Sequence, residues 1–262
     1  MKIVRYEYNN EISYGKLSDN YIAEIEGDIF SDFEITGEKL SLDEVNILSP
    51  VNPVNVIAIG LNYRNHVKES GHDMPEQPAI FLKASSSVVG DGDNIMLPVM
   101  APEEVDYEAE LAIVIAKEAK NVSEDEAKDY VLGYTCANDV SARDCQRRID
   151  KQWARGKSFD TFCPLGPVIE TELDPDNCNI KSTLNGEIMQ NSNTSDMIFN
   201  ISYLVSYISK NMTLLPGTVI LTGTPEGVGF ARKPAVFLRE GDLIEIEIEG
   251  IGKLSNKVVR EK

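Results

Sequence analysis

The chain is short of the residues that several common chemistries need. It has two histidines and four cysteines in 262 residues. The cysteines, Cys136, Cys145, Cys163 and Cys178, show no C-x-x-C spacing. This argues against a Cys/His zinc site and against a disulfide scaffold. Basic charge is also scarce: 25 Lys+Arg stand against 43 Asp+Glu, a net charge of −18. Such a surface repels phosphate backbones and anionic lipid, so nucleic-acid and membrane partners are not expected. No stretch approaches the about 18 apolar residues of a membrane span. The start, Met1-Lys2-Ile3-Val4-Arg5, has no apolar signal region, and the expected location is cytoplasmic.

What is present is ordinary globular composition, 42% hydrophobic and 26% charged, without repeats or low-complexity stretches. A chain of this length buries about three quarters of its unfolded surface and needs no disulfide to close its core. The first fifty residues alternate in short runs, Lys2–Tyr8, Ile12–Leu17 and Tyr21–Ile25, divided by Asn-Asn, Asp-Asn and Gly-Asp turns. Ser49-Pro50-Val51-Asn52-Pro53 marks a boundary, giving a small module at 1–50 and a larger domain at 51–262. Beyond it Val54–Ile59, Ala79–Leu82 and Leu111–Ala116 are continuous apolar runs, as in strands buried on both faces. Ile244, Ile246 and Ile248 alternate with glutamates in a half-buried strand. Two helices are predicted. One is capped by Ser123 and Glu126 and ended by Gly133. The other follows Thr194-Ser195-Asp196, with its apolar stripe on Met197, Ile201, Leu204, Val205 and Ile208. The class is α+β, mainly β.

Five segments carry possible chemistry. In Asp106-Tyr107-Glu108-Ala109-Glu110, Glu108 and Glu110 share a strand face. Two carboxylates that close repel unless a cation lies between them, and hard oxygen ligands suit Mg²⁺ or Mn²⁺. Glu245-x-Glu247-x-Glu249 has the same spacing and reads as plain surface. Glu110, however, runs straight into a buried strand. From residues alone, metal site and solvated face both stay open. Asn138-Asp139-Val140-Ser141-Ala142-Arg143 offers a third carboxylate, Asp139, and a cation for an anionic substrate, Arg143. The alternative there is a helix capped by Asp139. Lys157 lies in a polar loop. His66 and Glu69 are i and i+3 on a helical turn, so the carboxylate can fix the imidazole tautomer for general-base work. An incidental surface pair is the other reading. Last, Thr222-Gly223-Thr224 follows a strand, and its N–H groups and hydroxyls suit a carboxylate.

In order, these pieces form a set: Asn62-Tyr63-x-x-His66-x-x-Glu69, Pro78-x-x-Phe81-x-Lys83, Asp106-Tyr107-Glu108-x-Glu110, Asn138-Asp139-x-x-x-Arg143-Asp144-x-Gln146, Gly156-Lys157-Ser158-Phe159-Asp160, Leu184-Asn185-Gly186 and Leu221-Thr222-Gly223-Thr224-Pro225-x-Gly227. The set resembles the fumarylacetoacetate hydrolase family over about residues 52–260, in a short form without the long N-terminal domain of fumarylacetoacetase itself. The resemblance implies a mixed β-sandwich roll, usually a homodimer. It implies Mg²⁺ or Mn²⁺ on Glu108, Glu110 and Asp139, and a catalytic His66–Glu69 pair on a mobile lid. It also implies a substrate-polarising Lys157, with Arg143, Gln146 and Thr224 facing the substrate. The activity expected first is hydrolysis of a C–C bond in an acylpyruvate-type 2-oxo acid. Alternatives are oxaloacetate decarboxylation or keto–enol tautomerisation, or isomerisation of a 2-hydroxyhepta-2,4-diene-1,7-dioate. A non-enzymatic, metal-dependent acid binder is the rival outside enzymology.

Overall fold

Every residue of the strand Ala109–Ile115 is buried. Its place explains this, since it is hydrogen-bonded on both sides within a large sheet and covered on both faces. In the computed structural model, which describes residues 1–149 and 151–262, its neighbours are Val131–Asn138, antiparallel, and Val219–Leu221, also antiparallel. The sheet continues through Val56–Gly60, parallel to Val219–Leu221, to an edge at Ala79–Lys83. On the other side lie Cys163–Glu170 and then Lys2–Tyr8, Glu11–Ser18, Tyr21–Gly27 and Phe33–Ser41. The N-terminal strands therefore extend the main sheet, with Lys2 opposite Glu170 and Ile3 opposite Ile169. The sequence pattern does not mark Phe33–Ser41: it is an edge strand with weak apolar alternation.

A second, five-stranded sheet contains Glu187–Asn193, Asn179–Leu184, Leu243–Ile248, Gly252–Arg260 and Asn94–Leu97. Its inward residues Ile180, Ile246 and Leu254 join Leu111, Ile113 and Ile115 of the large sheet in one apolar core. Both sheets stay open, and helices are few, so the expected mainly β class holds.

The two predicted helices need correction. Ser123 and Glu126 do bond, with Ser123 Oγ 2.5 Å from Glu126 Oε2, but only a single 3₁₀ turn, Ala127–Tyr130, follows. Gly133 is no helix terminator: it lies inside the strand Val131–Asn138. A Cβ there would lie 2.6 Å from the Glu170 carbonyl oxygen, so the close approach of the neighbouring strand requires glycine. The other helix runs Ile201–Asn211, later than its stripe suggested, because Asn200 caps it by accepting from the Tyr203 N–H at 2.9 Å. Thr194–Asp196 forms a 3₁₀ turn, and Met197 pairs with Tyr63.

Candidate active site

The strand register brings the three carboxylates together. Ala109 is opposite Asn138, so Glu108 and Asp139 sit just beyond the ends of two adjacent strands. The Asp139 N–H donates to the Glu108 carbonyl at 2.9 Å, and the Glu108 N–H to Asn138 Oδ1 at 3.0 Å. One oxygen each from Glu108, Glu110 and Asp139 lies within 4.8 Å of the others, and all three residues are buried. Asp139 caps no helix: Ser141–Ala142 is a short strand paired to Val105–Asp106, and the turn at Cys145–Ile149 begins later.

Three buried cations answer these acids. Lys83 Nζ, at the end of Ala79–Lys83, donates to Asp139 Oδ1 at 2.5 Å. Lys157, at the end of the short helix Trp153–Lys157, donates to Glu108 Oε2 at 2.8 Å and to Asp139 Oδ2. Arg143 donates through Nε to Asp106 at 2.9 Å, through Nη2 to Glu108 at 2.6 Å, and through Nη1 to the Gln146 amide oxygen at 2.9 Å. Burial alone would raise the Glu108 pKa, but Lys157 and Arg143 outweigh it and hold the carboxyl well below its ordinary range. Burial opposes the Lys157 charge, yet Asp139 and Glu108 more than compensate and its pKa lies above that of an ordinary lysine.

Glu110 is the exception. Among the described residues no cation pairs with it directly. It accepts the Gly223 N–H at 2.7 Å, and burial, with Asp139 and Glu108 beside it, pushes its pKa well up. Four clustered carboxylates, counting Asp106, face three cations, and the surplus charge falls on Glu110. A hard divalent ion fits this donor set: all ligands are oxygen, and the ion would bring the positive charge that Glu110 lacks. The site can hold such an ion on Glu108, Glu110 and Asp139.

The Thr222–Thr224 turn does cradle a carboxylate, but it is the protein's own Glu110. Gly223 adopts φ +97°, and a Cβ there would come within 2.7 Å of Asn62 Cβ, so glycine brings this N–H to the acid. Thr224 Oγ1 donates to the Ala109 carbonyl at 2.9 Å and accepts from Gln190 Nε2 at 2.8 Å. Its hydroxyl is thus committed within the protein.

His66 and Glu69 lie on the helix Arg64–Ser70, with His66 Nδ1 3.3 Å from Glu69 Oε2. Both Glu69 oxygens also lie 3.1 Å from the Gly227 N–H, which fixes the acid from the opposite side. A cavity of about 380 Å³ is lined by His66, Glu108, Arg143, Gln146, Lys157 and Thr224, among others. Glu110 and Asp139 lie behind this wall. Of the nine residues singled out in the sequence, six therefore line one cavity and three support it. Sequence reasoning gave no role to Lys83, Asp106 or Gln190. Lys83 and Asp106 stood inside quoted motifs, and only their burial reveals them as partners of Asp139 and Arg143. Nothing local marked Gln190, which comes from the other sheet to bond the Ala109 N–H at 2.9 Å.

Residues 55–259 match the family described as "Fumarylacetoacetate (FAA) hydrolase C-terminal". The chain belongs to the fumarylacetoacetate hydrolase family. Residues 1–50 match a second description, "Rv2993c-like, N-terminal". Among family members, oxaloacetate tautomerase fahd2, mitochondrial, from Xenopus laevis is 50% identical over 84% of this chain and 70% of its own. The solved 5-carboxymethyl-2-hydroxymuconate delta-isomerase from Mycobacterium smegmatis is 42% identical, with a TM-score of 0.91 over 100% of both chains. A fumarylacetoacetate hydrolase from Exiguobacterium antarcticum superposes with the same TM-score, 0.91, at 36% identity and with 100% of both chains covered. No helix among the described residues is long and apolar enough to cross a membrane.

Proposed function

We propose that this family member is a divalent-metal-dependent keto–enol tautomerase of 2-oxo acids of the oxaloacetate type. The observation that carries the reading is the shared cavity: His66, oriented by Glu69, opens onto the same space as Glu108 at the edge of the carboxylate cluster. The tautomerase and isomerase names of the relatives favour this alternative over the acylpyruvate hydrolysis expected first. A base beside a binder's metal site would have no task, which speaks against a pure acid-binding protein.

The chemistry is a proton transfer, with no carbon–carbon bond broken. Mg²⁺ or Mn²⁺ on Glu108, Glu110 and Asp139 would supply Lewis-acid polarisation of the 2-oxo group when bound. Lys157 and Arg143 keep Glu108 ionised, and Lys83 and Lys157 both bond Asp139 and hold its carboxylate in place. With its Nδ1 proton directed at Glu69, His66 has its Nε2 lone pair free to take a proton from the carbon beside the oxo group. Returning that proton to oxygen completes the enol, and the reverse order gives the ketone. Gly227 holds Glu69 in place through this exchange. Gln146 gives its carbonyl oxygen to Arg143, which leaves its amide N–H₂ for an oxygen of the substrate. The protein is expected to act as a homodimer in the cytosol.

The test is to add enol oxaloacetate to the Mg²⁺-loaded protein and follow enol absorbance together with pyruvate and CO₂. Accelerated loss of the enol without either product supports tautomerisation. Pyruvate release from an acylpyruvate, with no effect on the enol, would return the assignment to C–C hydrolysis.

A further inference from the structure

Two guanidinium groups stack on one ring. Arg143 Cζ lies 4.5 Å and Arg147 Cζ 4.2 Å from the centroid of Phe230. The ring is anchored, because the Phe230 N–H donates to Asp106 Oδ2 at 3.1 Å. The two cations differ in what they face. All three nitrogens of Arg143 are engaged by Asp106, Glu108 and Gln146. Its charge is thus already shared by two buried carboxylates of the protein. Arg148, one residue further on, pairs with Glu104 at 2.8 Å. Arg147 makes no ion pair with any described carboxylate, yet it lines the same cavity as His66 and Glu108.

That arrangement is unfavourable by itself. Partial burial and the Arg143 charge both press the Arg147 pKa below that of an ordinary arginine. An anion received at Arg147 would relieve both effects, and a forked guanidinium suits a carboxylate. The cavity, about 380 Å³, has the size of a small-molecule site and is lined both by Glu108 of the carboxylate cluster and by Arg147.

We propose that Arg147 receives the distal carboxylate of the substrate, making the site selective for 2-oxo dicarboxylic acids over 2-oxo monocarboxylic acids of equal length. This rests on the assignment of the cavity to 2-oxo acids, and it adds the residue that reads the far end. Lys151 also lines the cavity and is the competing cation.

The probes are two matched pairs, oxaloacetate with 2-oxobutyrate and 2-oxoglutarate with 2-oxopentanoate. In each pair a terminal carboxylate is replaced by a methyl group. Oxalate, which offers only the reacting end, is the reference. Each is titrated into the Mg²⁺-loaded protein by calorimetry. The emission of Trp153, the only tryptophan and itself in the cavity wall, gives a second reading. The expected result is a preference for the dicarboxylate of about tenfold or more in wild type, the scale of one charge-assisted contact. Arg147→Gln should bring the ratio close to one while oxalate still binds. If oxalate binds both proteins and the preference survives in Arg147→Gln, or is absent from wild type, the inference is overturned and the 2-oxo acid assignment stands. A preference lost instead in Lys151→Gln would also overturn it. If oxalate does not bind wild type, the assignment itself fails, and the inference with it.

Discussion

Two strands of this protein carry glutamates at alternate positions, and they have opposite fates. On Leu243–Ile248 the isoleucines face inward, and Glu245 and Glu247 point towards solvent. Glu245 pairs with Lys253 at 3.1 Å and Glu247 with Lys181 at 2.8 Å, between partly exposed side chains. At the start of Ala109–Ile115, Glu108 and Glu110 have the same spacing but are buried, on the strand face opposite the second sheet. Their neighbours are Lys157, Arg143 and a third acid, Asp139. Spacing puts two carboxylates on one face in both strands. The layer above that face decides whether water or an ion must balance them.

The largest effect expected from the buried side is on turnover. His66 and Glu108 line the same cavity. Loss of a general base costs about 10²–10⁴-fold in rate. His66→Ala should lower oxaloacetate tautomerisation by that factor, whereas Glu245→Ala should leave it unchanged. Steady-state rates from enol absorbance measure both. A wild-type rate in His66→Ala would remove the imidazole from the mechanism.

Next comes stability. Lys157→Met leaves Glu108 with Arg143 alone and Asp139 with Lys83 alone, and breaking a buried pair from one side costs about 3–5 kcal/mol. Lys253→Met, at the exposed pair with Glu245, should cost about 0.2–1 kcal/mol. Urea unfolding of both variants without metal gives the two numbers. Equal losses would erase the distinction between the strands.

A smaller effect concerns pH. The pKa of Glu110 is raised in the folded protein. Above the ordinary glutamate range the native state therefore keeps a proton that the unfolded chain has lost, and stability falls as pH rises. Glu110→Gln lacks that loss. Without metal its stability should gain on wild type as pH climbs above about 4.3, the unfolded glutamate value. Unfolding midpoints across pH in the presence of a chelator test this, and a pH-independent gap for Glu110→Gln would contradict it.

Much of this site is legible in the chain, for a physical reason. Buried strands force continuous apolar runs, so carboxylates beside such a run, as at Glu108 and Glu110, stand out. His66 and Glu69 are legible because three residues close one helical turn. The commitments of polar groups are not legible. That Arg143 is paired with buried acids depends in part on Asp106, which also receives the Gly229 N–H at 2.7 Å from a loop far along the chain. Gly133 reads as a helix end until the Glu170 carbonyl is placed beside it. Such facts arise from strand neighbours distant in sequence, which local pattern does not encode.

The comparison reduces to whether one pair of alternate glutamates binds metal and the other does not. Calorimetric titration of Mg²⁺ and Mn²⁺ into wild type, Glu108→Gln and Glu247→Gln asks this directly. The account predicts one site per chain in wild type, its severe weakening or loss in Glu108→Gln, and an unchanged isotherm in Glu247→Gln. Equal affinity in Glu108→Gln and wild type would contradict the assignment of the buried carboxylates as the metal site.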